Sequence, residues 1–352
     1  MRGAAGRALV SRGTAEVRSR PESGESGAVP SPTISVVICT YTGGRWHQLL
    51  DAVESVAAQT RAPLDIVVVV DHDPLLLRRV ASELPNVGGV ENRGARGLSG
   101  ARNSGIEVAR GDVVAFLDDD AVAAPDWLEQ LAQPYTDELV LGVGGAIAPV
   151  WERRPRWFPA EFEWVVGCSY RGMPVASGGV RNVIGANMSF RRFLLVELGG
   201  FQSGIGRIGT RPVGCEETEF CIRAGRAHPG GAIVYEPQAR VRHHVPESRA
   251  SWSYFVSRCY AEGLSKAQVV RSVGANRGLS TERSYALRAL PSGVFIALGD
   301  AVTLRDPSGV LRSAAIVLGL MTATIGFTAG RLKGILNRNR APSLARGAEV
   351  GS

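Results

Sequence analysis

An α/β fold with a mostly parallel central sheet flanked by helices is predicted by three features of this 352-residue chain. Short apolar runs alternate with amphipathic helical patterns between residues 34 and 147, the pattern of successive βαβ units. The loops after the runs collect polar side chains: Thr40-Tyr41-Thr42, Asp71-His72-Asp73 and Asp118-Asp119-Asp120. The last of these follows V-V-A-F-L, a run apolar on both alternating faces, as expected of a strand covered by helices on two sides.

The elements follow in order. Residues 34–40 (I-S-V-V-I-C-T) read as a strand and 45–58 as a helix with Leu49, Leu50, Val53 and Val56 on one face. Residues 64–70 form a second strand. Residues 74–84 form a helix with Pro74 in its first turn. Residues 87–90 are a third strand and 98–109 a third helix with Ser99 as its N-cap. A strand at 112–117, a helix at 126–135 and a strand at 139–147 complete the alternation. Beyond it, Trp151, Trp157, Phe158, Phe162 and Trp164 crowd one segment, and packing is the expected use of most of them. Residues 185–191 return as a strand, 193–198 as a short helix, and Phe220, Ile222 and Ala224 mark a helix just after Glu216 and Glu217. Strands at 232–235 and 241–245 precede a helix at 251–270.

The ends differ from the middle. Residues 1–32 are rich in Arg, Ser, Gly and Glu and nearly free of large apolar side chains, the composition of a disordered tail with no secretory signal. Residues 33–275 form the predicted α/β domain, 276–340 an apolar helical region and 341–352 a second tail. Residues 313–330 carry no charge and are followed by Arg331, Lys333, Arg338 and Arg340. That pattern predicts a helix in or on a membrane, with its basic end on the cytoplasmic side.

Net charge is +7 and the sequence pI about 9.5, with much of the Arg excess near the termini. There is no aromatic-plus-basic RNA motif and no zinc-finger spacing, so a nucleic-acid partner is not expected. Five scattered cysteines without a CxxC pair predict a reducing compartment. No GxGxxG follows the first strand and no GxxxxGK[ST] is present, which disfavours dinucleotide-binding and P-loop folds.

Ligands of open α/β sheets bind beyond the carboxyl ends of the strands, where the Asp triplet falls. Three adjacent carboxylates repel one another unless a cation sits among them, and a hard divalent ion that bridges to phosphates suits them. The competing reading is a solvated acidic turn. Glu216 and Glu217 suit a helix N-terminus electrostatically and also suit a general base. A His such as His243 or His244, brought to a metal by a strand end, suits Mn²⁺ better than Mg²⁺.

Taken together, seven segments in order resemble the family 2 inverting glycosyltransferases, which have the GT-A fold. They are C-T-Y (39–41), V-V-V-D (68–71), G-L-S-G-A-R-N-S-G (97–105), F-L-D-D-D-A (116–121), G-A-N-M-S-F-R-R (185–192), C-E-E-T-E-F-C-I-R (215–223) and V-R-H-H-V (241–245). The resemblance implies hexosyl or deoxyhexosyl transfer from a UDP-, GDP- or dTDP-sugar to a carbohydrate or lipid-linked acceptor, with Mn²⁺ or Mg²⁺, at the inner face of the cell membrane in cell-envelope polysaccharide or glycolipid synthesis. It places Thr40, Tyr41, Asp71, Arg102, Asp118 and Asp119 around the nucleotide sugar. Asp120 and His243 become metal ligands. Glu217 stands where the family has the Asp of an E-D pair, as catalytic base, with Glu216 able to share the role. Having E-E for E-D keeps a second expectation alive: an inactive, membrane-tethered nucleotide-sugar-binding or scaffold protein.

Overall fold

The computed structural model describes residues 31–203, 214–274, 282 and 285–340. Most of the predicted tails, 1–30 and 341–352, and residues 275–281 lie outside the described residues.

Strand β1 (Ile34–Thr40), helix α1 (Trp46–Ala57), β2 (Asp65–Val70), α2 (Pro74–Glu83), β3 (Gly88–Glu91), α3 (Leu98–Val108) and β4 (Val113–Asp118) form the alternating half. β5 (Ala121–Ala123), α4 (Trp127–Ala132), β6 (Val140–Trp151), β7 (Gly178–Val180), β8 (Asn187–Arg191), α5 (Arg192–Glu197), α6 (Glu216–Ala227) and β9 (Ala232–Val245) follow. Among the described residues three helices follow, α7 (Trp252–Val273), α8 (Leu290–Val302) and α9 (Gly309–Arg340).

Among the described residues the nine strands make one sheet, ordered β3-β2-β1-β4-β8-β6-β9-β5, with β7 also on β9. The β3-β2-β1-β4 half is parallel, as the alternation predicts. The other half is mixed: β8 is antiparallel to β4 and β6, and β6 is parallel to β9. A parallel neighbour needs a crossover that returns the chain to its starting edge. Residues 152–186 hold no α-helix that could make one, and β8 enters from the other end.

β4 is the centre of the core. Val113, Ala115 and Leu117 join one hydrophobic cluster, and Val114 and Phe116 join the other. Successive strand side chains point to opposite faces, so an unbroken apolar run serves two cores at once.

Several boundaries differ from the sequence reading. Ser99 does not cap α3; Gly97 does, with φ 121°, and it offers no side-chain hydrogen bond. The 126–135 helix ends at Ala132 and tightens into a 3₁₀ turn, Gln133–Thr136, at Pro134. The strands predicted at 232–235 and 241–245 are one strand, β9, whose register against β6 slips between Gly145 and Ala146. Asn187 secures that irregularity. Its amide donates to the Ala146 and Ala239 carbonyls at 3.0 and 2.8 Å and accepts from Trp127 Nε1 at 2.8 Å. The aromatic segment packs as expected: Phe158 and Phe162 are buried, and Trp157 stacks on Trp252 at 3.9 Å.

Two C-terminal stretches, Tyr285–Val302 and Gly309–Leu336, are long and apolar enough to cross a membrane.

Candidate active site

Sheet register assembles the acidic cluster. Cys39 pairs with Asp118 across β1 and β4, which sets Asp118 at the strand's carboxyl end. The chain turns through Asp119 and Asp120 into β5, where Ala121 pairs with His243 on β9. His243 therefore stands beside Asp120, with its Nε2 3.1 Å from Asp120 Oδ1. Asp118, Asp120 and His243 offer donor atoms within 4.8 Å of one another, a set that could hold a metal ion. Two carboxylates and an imidazole suit Mn²⁺ by ligand chemistry. Strand alternation sends the His243 and His244 side chains to opposite sides. His243 is buried, with Cys168 Sγ near its other ring nitrogen at 3.9 Å, whereas His244 reaches Glu152 at 3.0 Å.

Two arginines that sequence reasoning did not place at the cluster balance it. Arg45 Nη1 lies 2.9 Å from Asp119 and 3.1 Å from Asp120, and the buried Arg249 lies 3.5 Å from Asp120. Burial alone would raise the Asp120 pKa, but His243, Arg45 and Arg249 hold it well below the carboxylate range. Burial and the neighbouring Asp120 push Asp119 up to about 6. Burial disfavours charge on His243 as well, but Asp120 outweighs it and lifts the imidazole to about 10. Nothing in the residue types marks Arg45 or Arg249; only the fold brings them here.

The expected donor-binding residues divide into groups. Thr40 is buried and donates its hydroxyl to Asp119 at 2.8 Å. Tyr41 is exposed, with the Arg45 guanidinium 5.4 Å from its ring centre. Asp71 accepts from the Gly97 N–H at 2.9 Å and from Asn92 at 2.6 Å, tying β2 to the start of α3. Asp73 accepts from the backbone N–H groups of Leu75 and Leu76, so it caps α2.

Arg102 joins the acidic cluster to the glutamate pair. It is 2% exposed, with Nη1 2.8 Å from Glu216 Oε1 and Nη2 3.6 Å from Asp118 Oδ1 and 3.0 Å from the Gly185 carbonyl. Glu216 and Glu217 open α6 directly after Cys215, whose φ of 77° is left-handed. A non-glycine residue held there stores of order 1–3 kcal/mol, a strain typical of functional turns. Glu216 is buried, and its second oxygen has no hydrogen-bond partner among the described residues. Glu217 is half-buried and makes no ion pair among the described residues. Burial, then the Glu216 charge, push its pKa up to about 8.

A cavity of about 860 Å³ is lined by Arg102, Asp118, Glu216, Glu217 and His243. Thr40, Asp119 and Asp120 are buried beside it. Its far wall holds Lys266, which is 2.8 Å from Glu282, and apolar residues of α9, Leu320 and Phe327 among them. The residues of this wall come from α7, α8 and α9, far apart in the chain.

The sequence model described as glycosyl transferase family 2 matches residues 35–199. A glucosyl-dolichyl phosphate glucuronosyltransferase of Haloferax volcanii is 36% identical over 311 residues, covering 87% of this chain and 97% of that protein. Succinoglycan biosynthesis protein ExoM of Rhizobium meliloti is 29% identical over 310 residues, covering 84% and 93%. Among solved structures, the mannosyltransferase PcManGT of Pyrobaculum calidifontis, in complex with GDP-Man and Mn²⁺, superposes with a TM-score of 0.53 at 19% identity, covering 86% of this chain and 90% of that one.

Proposed function

The chain belongs to glycosyltransferase family 2, and from that we propose that it transfers a sugar, with inversion, from a nucleoside-diphosphate sugar to a hydroxyl of a lipid-linked glycan. The observation that carries the reading is one cavity lined by Glu217 and by Asp118 and His243, with Asp120 completing the metal-capable set behind its wall and Arg102 joining Asp118 to Glu216 between them.

A hydroxyl is a poor nucleophile, and a carboxylate within reach removes its proton as it attacks. Glu217 fits that task. It faces the cavity, it is free of ion pairs among the described residues, and its raised affinity for a proton suits a base working near neutrality. Glu216 is committed to Arg102, so its part is to hold that guanidinium against Asp118 rather than to take the proton. The acceptor oxygen bonds to the anomeric carbon as the bond to the diphosphate breaks on the opposite face, and the configuration inverts. Asp118, Asp120 and His243 would hold Mn²⁺ or Mg²⁺, which when bound offsets the charge growing on the diphosphate. Arg102 adds a fixed positive charge to the same wall, and Thr40, Tyr41 and Asp71 lie at neighbouring strand ends where a nucleoside would rest. The lipid-linked acceptor is supported by the dolichyl-phosphate substrate named for the Haloferax volcanii relative and by the apolar cavity wall. The same two points support membrane association, and the basic residues that follow the apolar run, Arg331 and Lys333 among them, support the cytoplasmic face.

The test is transfer itself. Protein in vesicles carrying a glycosylated polyprenyl phosphate is given UDP-, GDP- and dTDP-sugars with Mn²⁺, and the product's anomeric configuration is read by NMR. Inverted product, absent with Glu217→Gln, supports the assignment. Retained configuration, or full activity in the variant, contradicts it. Donor binding with no transfer to any glycolipid would favour the binding-protein alternative.

A further inference from the structure

Length and composition let α8 and α9 cross a bilayer, yet their packing does not. α9 has 32 residues, about 48 Å at 1.5 Å per residue, against a hydrocarbon core of about 30 Å. A crossing helix would keep its middle clear of water-soluble structure. Here the catalytic domain accompanies α9 throughout. Just before its first turn, the Ser308 hydroxyl donates to the Arg156 carbonyl at 3.2 Å. At Gly319 an added Cβ would collide with the rings of Phe162 and Phe255. At Gly326 it would strike the Tyr260 backbone, and at Gly263 of α7 the α9 backbone around Ala323. Glycines here allow the two backbones to touch. Further on, the Arg271 guanidinium donates to the Gly330 carbonyl at 3.1 Å. α7 thus travels beside α9 and carries Arg258, Glu262, Lys266 and Arg271 with it. A crossing α9 would draw these charges, and the cavity that Arg258, Glu262 and Lys266 line, into hydrocarbon.

The free side of the hairpin has the opposite character. Val317, Met321 and Ile325, spaced i, i+4, i+8, are each at least half exposed, and Phe295 and Val302 extend the apolar surface from α8. Residues 309–340 contain no Asp or Glu. Asp300 and Asp306, the acidic residues of 285–308, are both paired with Arg312. Arg288, Arg305, Arg331 and Lys333 are exposed around the apolar face. An apolar strip rimmed by exposed cations complements an anionic lipid surface.

We propose that α8 and α9 lie flat in one leaflet as a monotopic face and do not cross the bilayer. α9 is then a partition. Leu320, Ala323, Thr324 and Phe327 face the cavity, while Val317, Met321 and Ile325 face the acyl chains. A lipid-linked acceptor reaches Glu217 along that partition without leaving the membrane. This deepens the proposed membrane association, and its test needs no activity, so its failure is separate from failure of the transfer reading.

The experiment uses the full-length chain in sealed cell-membrane vesicles and a membrane-impermeant maleimide, with labelling measured over the unsubstituted protein. Arg305→Cys reports on the α8–α9 connection, and Glu138→Cys on the exposed surface of the catalytic domain. Labelling of both from the same side is expected, and labelling from opposite sides overturns the proposal. Purified protein is then floated with phosphatidylglycerol/phosphatidylcholine vesicles. Val317→Lys/Met321→Lys/Ile325→Lys should cut the bound fraction at least tenfold, with the circular dichroism unchanged. Unchanged flotation of the triple variant overturns the proposal. So does a wild-type chain that ignores vesicles and forms a stable dimer, which would assign the face to a second copy.

Discussion

Arg102 Nη1 lies 2.8 Å from Glu216 Oε1, and both side chains are almost wholly buried. The pair fixes one end of a guanidinium whose other nitrogen faces Asp118 at 3.6 Å. Removing one partner of a buried pair leaves the other charge uncompensated, at a cost of about 3–5 kcal/mol. Arg102→Ala should therefore lower the unfolding free energy by about that much in urea melts. Arg102→Lys keeps the charge but not the planar fork that reaches two carboxylates. It should stay folded and lose most of kcat.

Glu217 makes a prediction with two readouts. Its folded pKa, about 8, lies above the ordinary carboxylate value because burial and then Glu216 favour the neutral form. The stability it contributes is complete below the ordinary value near 4.5 and is lost as pH rises through 8. Activity runs the other way, since a base must be ionised, and kcat should rise through the same range. Glu217→Gln should lower kcat by about 10²–10⁴-fold and raise Tm at pH 9 more than at pH 6. Thermal melts and kcat–pH profiles of the two proteins check both.

The adjacent histidines should separate cleanly. His243→Ala should weaken Mn²⁺ binding by at least the ~10–100-fold that even outer-sphere partners cost, whereas His244→Ala should leave it unchanged. Titration of Mn²⁺ by EPR measures both. Chelation with EDTA should abolish donor binding by the wild-type protein and spare its fold, because Arg45 and Arg249 remain to balance Asp120.

Asp73 sits close to the Asp71 turn but caps α2. Asp73→Ala should cost about 1 kcal/mol of stability and leave donor affinity unaltered. Urea melts and nucleotide-sugar titration read the two effects separately.

Much of this arrangement was legible in the residues, for physical reasons. The run into Asp118 must be a strand covered on both faces, because every side chain in it is apolar. Strand ends gather ligands, so Asp118, Asp120 and the polar turns after β1 and β2 could be placed at one edge. Direction was not legible: the residues of β8 look the same whether it pairs parallel or antiparallel with β4. Nor were the long-range partners. Arg45 is 74 residues from Asp119, and Arg102 is 114 from Glu216. Ser99 looked like a cap because hydroxyls often are, but Gly97 takes the left-handed position the turn into α3 requires. The apolar C-terminus was legible as a membrane candidate, but its packing against α7, on which the proposed monotopic placement rests, was not.

Metal-dependent donor binding tests the account most directly. Purified protein, with and without Mn²⁺, is titrated with UDP-, GDP- and dTDP-sugars beside Asp120→Asn, with the fold of the variant confirmed by circular dichroism. One nucleotide class should bind only with the metal, and the folded variant should lose that binding. Metal-independent binding, equal binding by Asp120→Asn, or no binding of any nucleotide sugar by folded protein would contradict it, and the acidic triplet would then be a charge-balanced turn rather than a donor site.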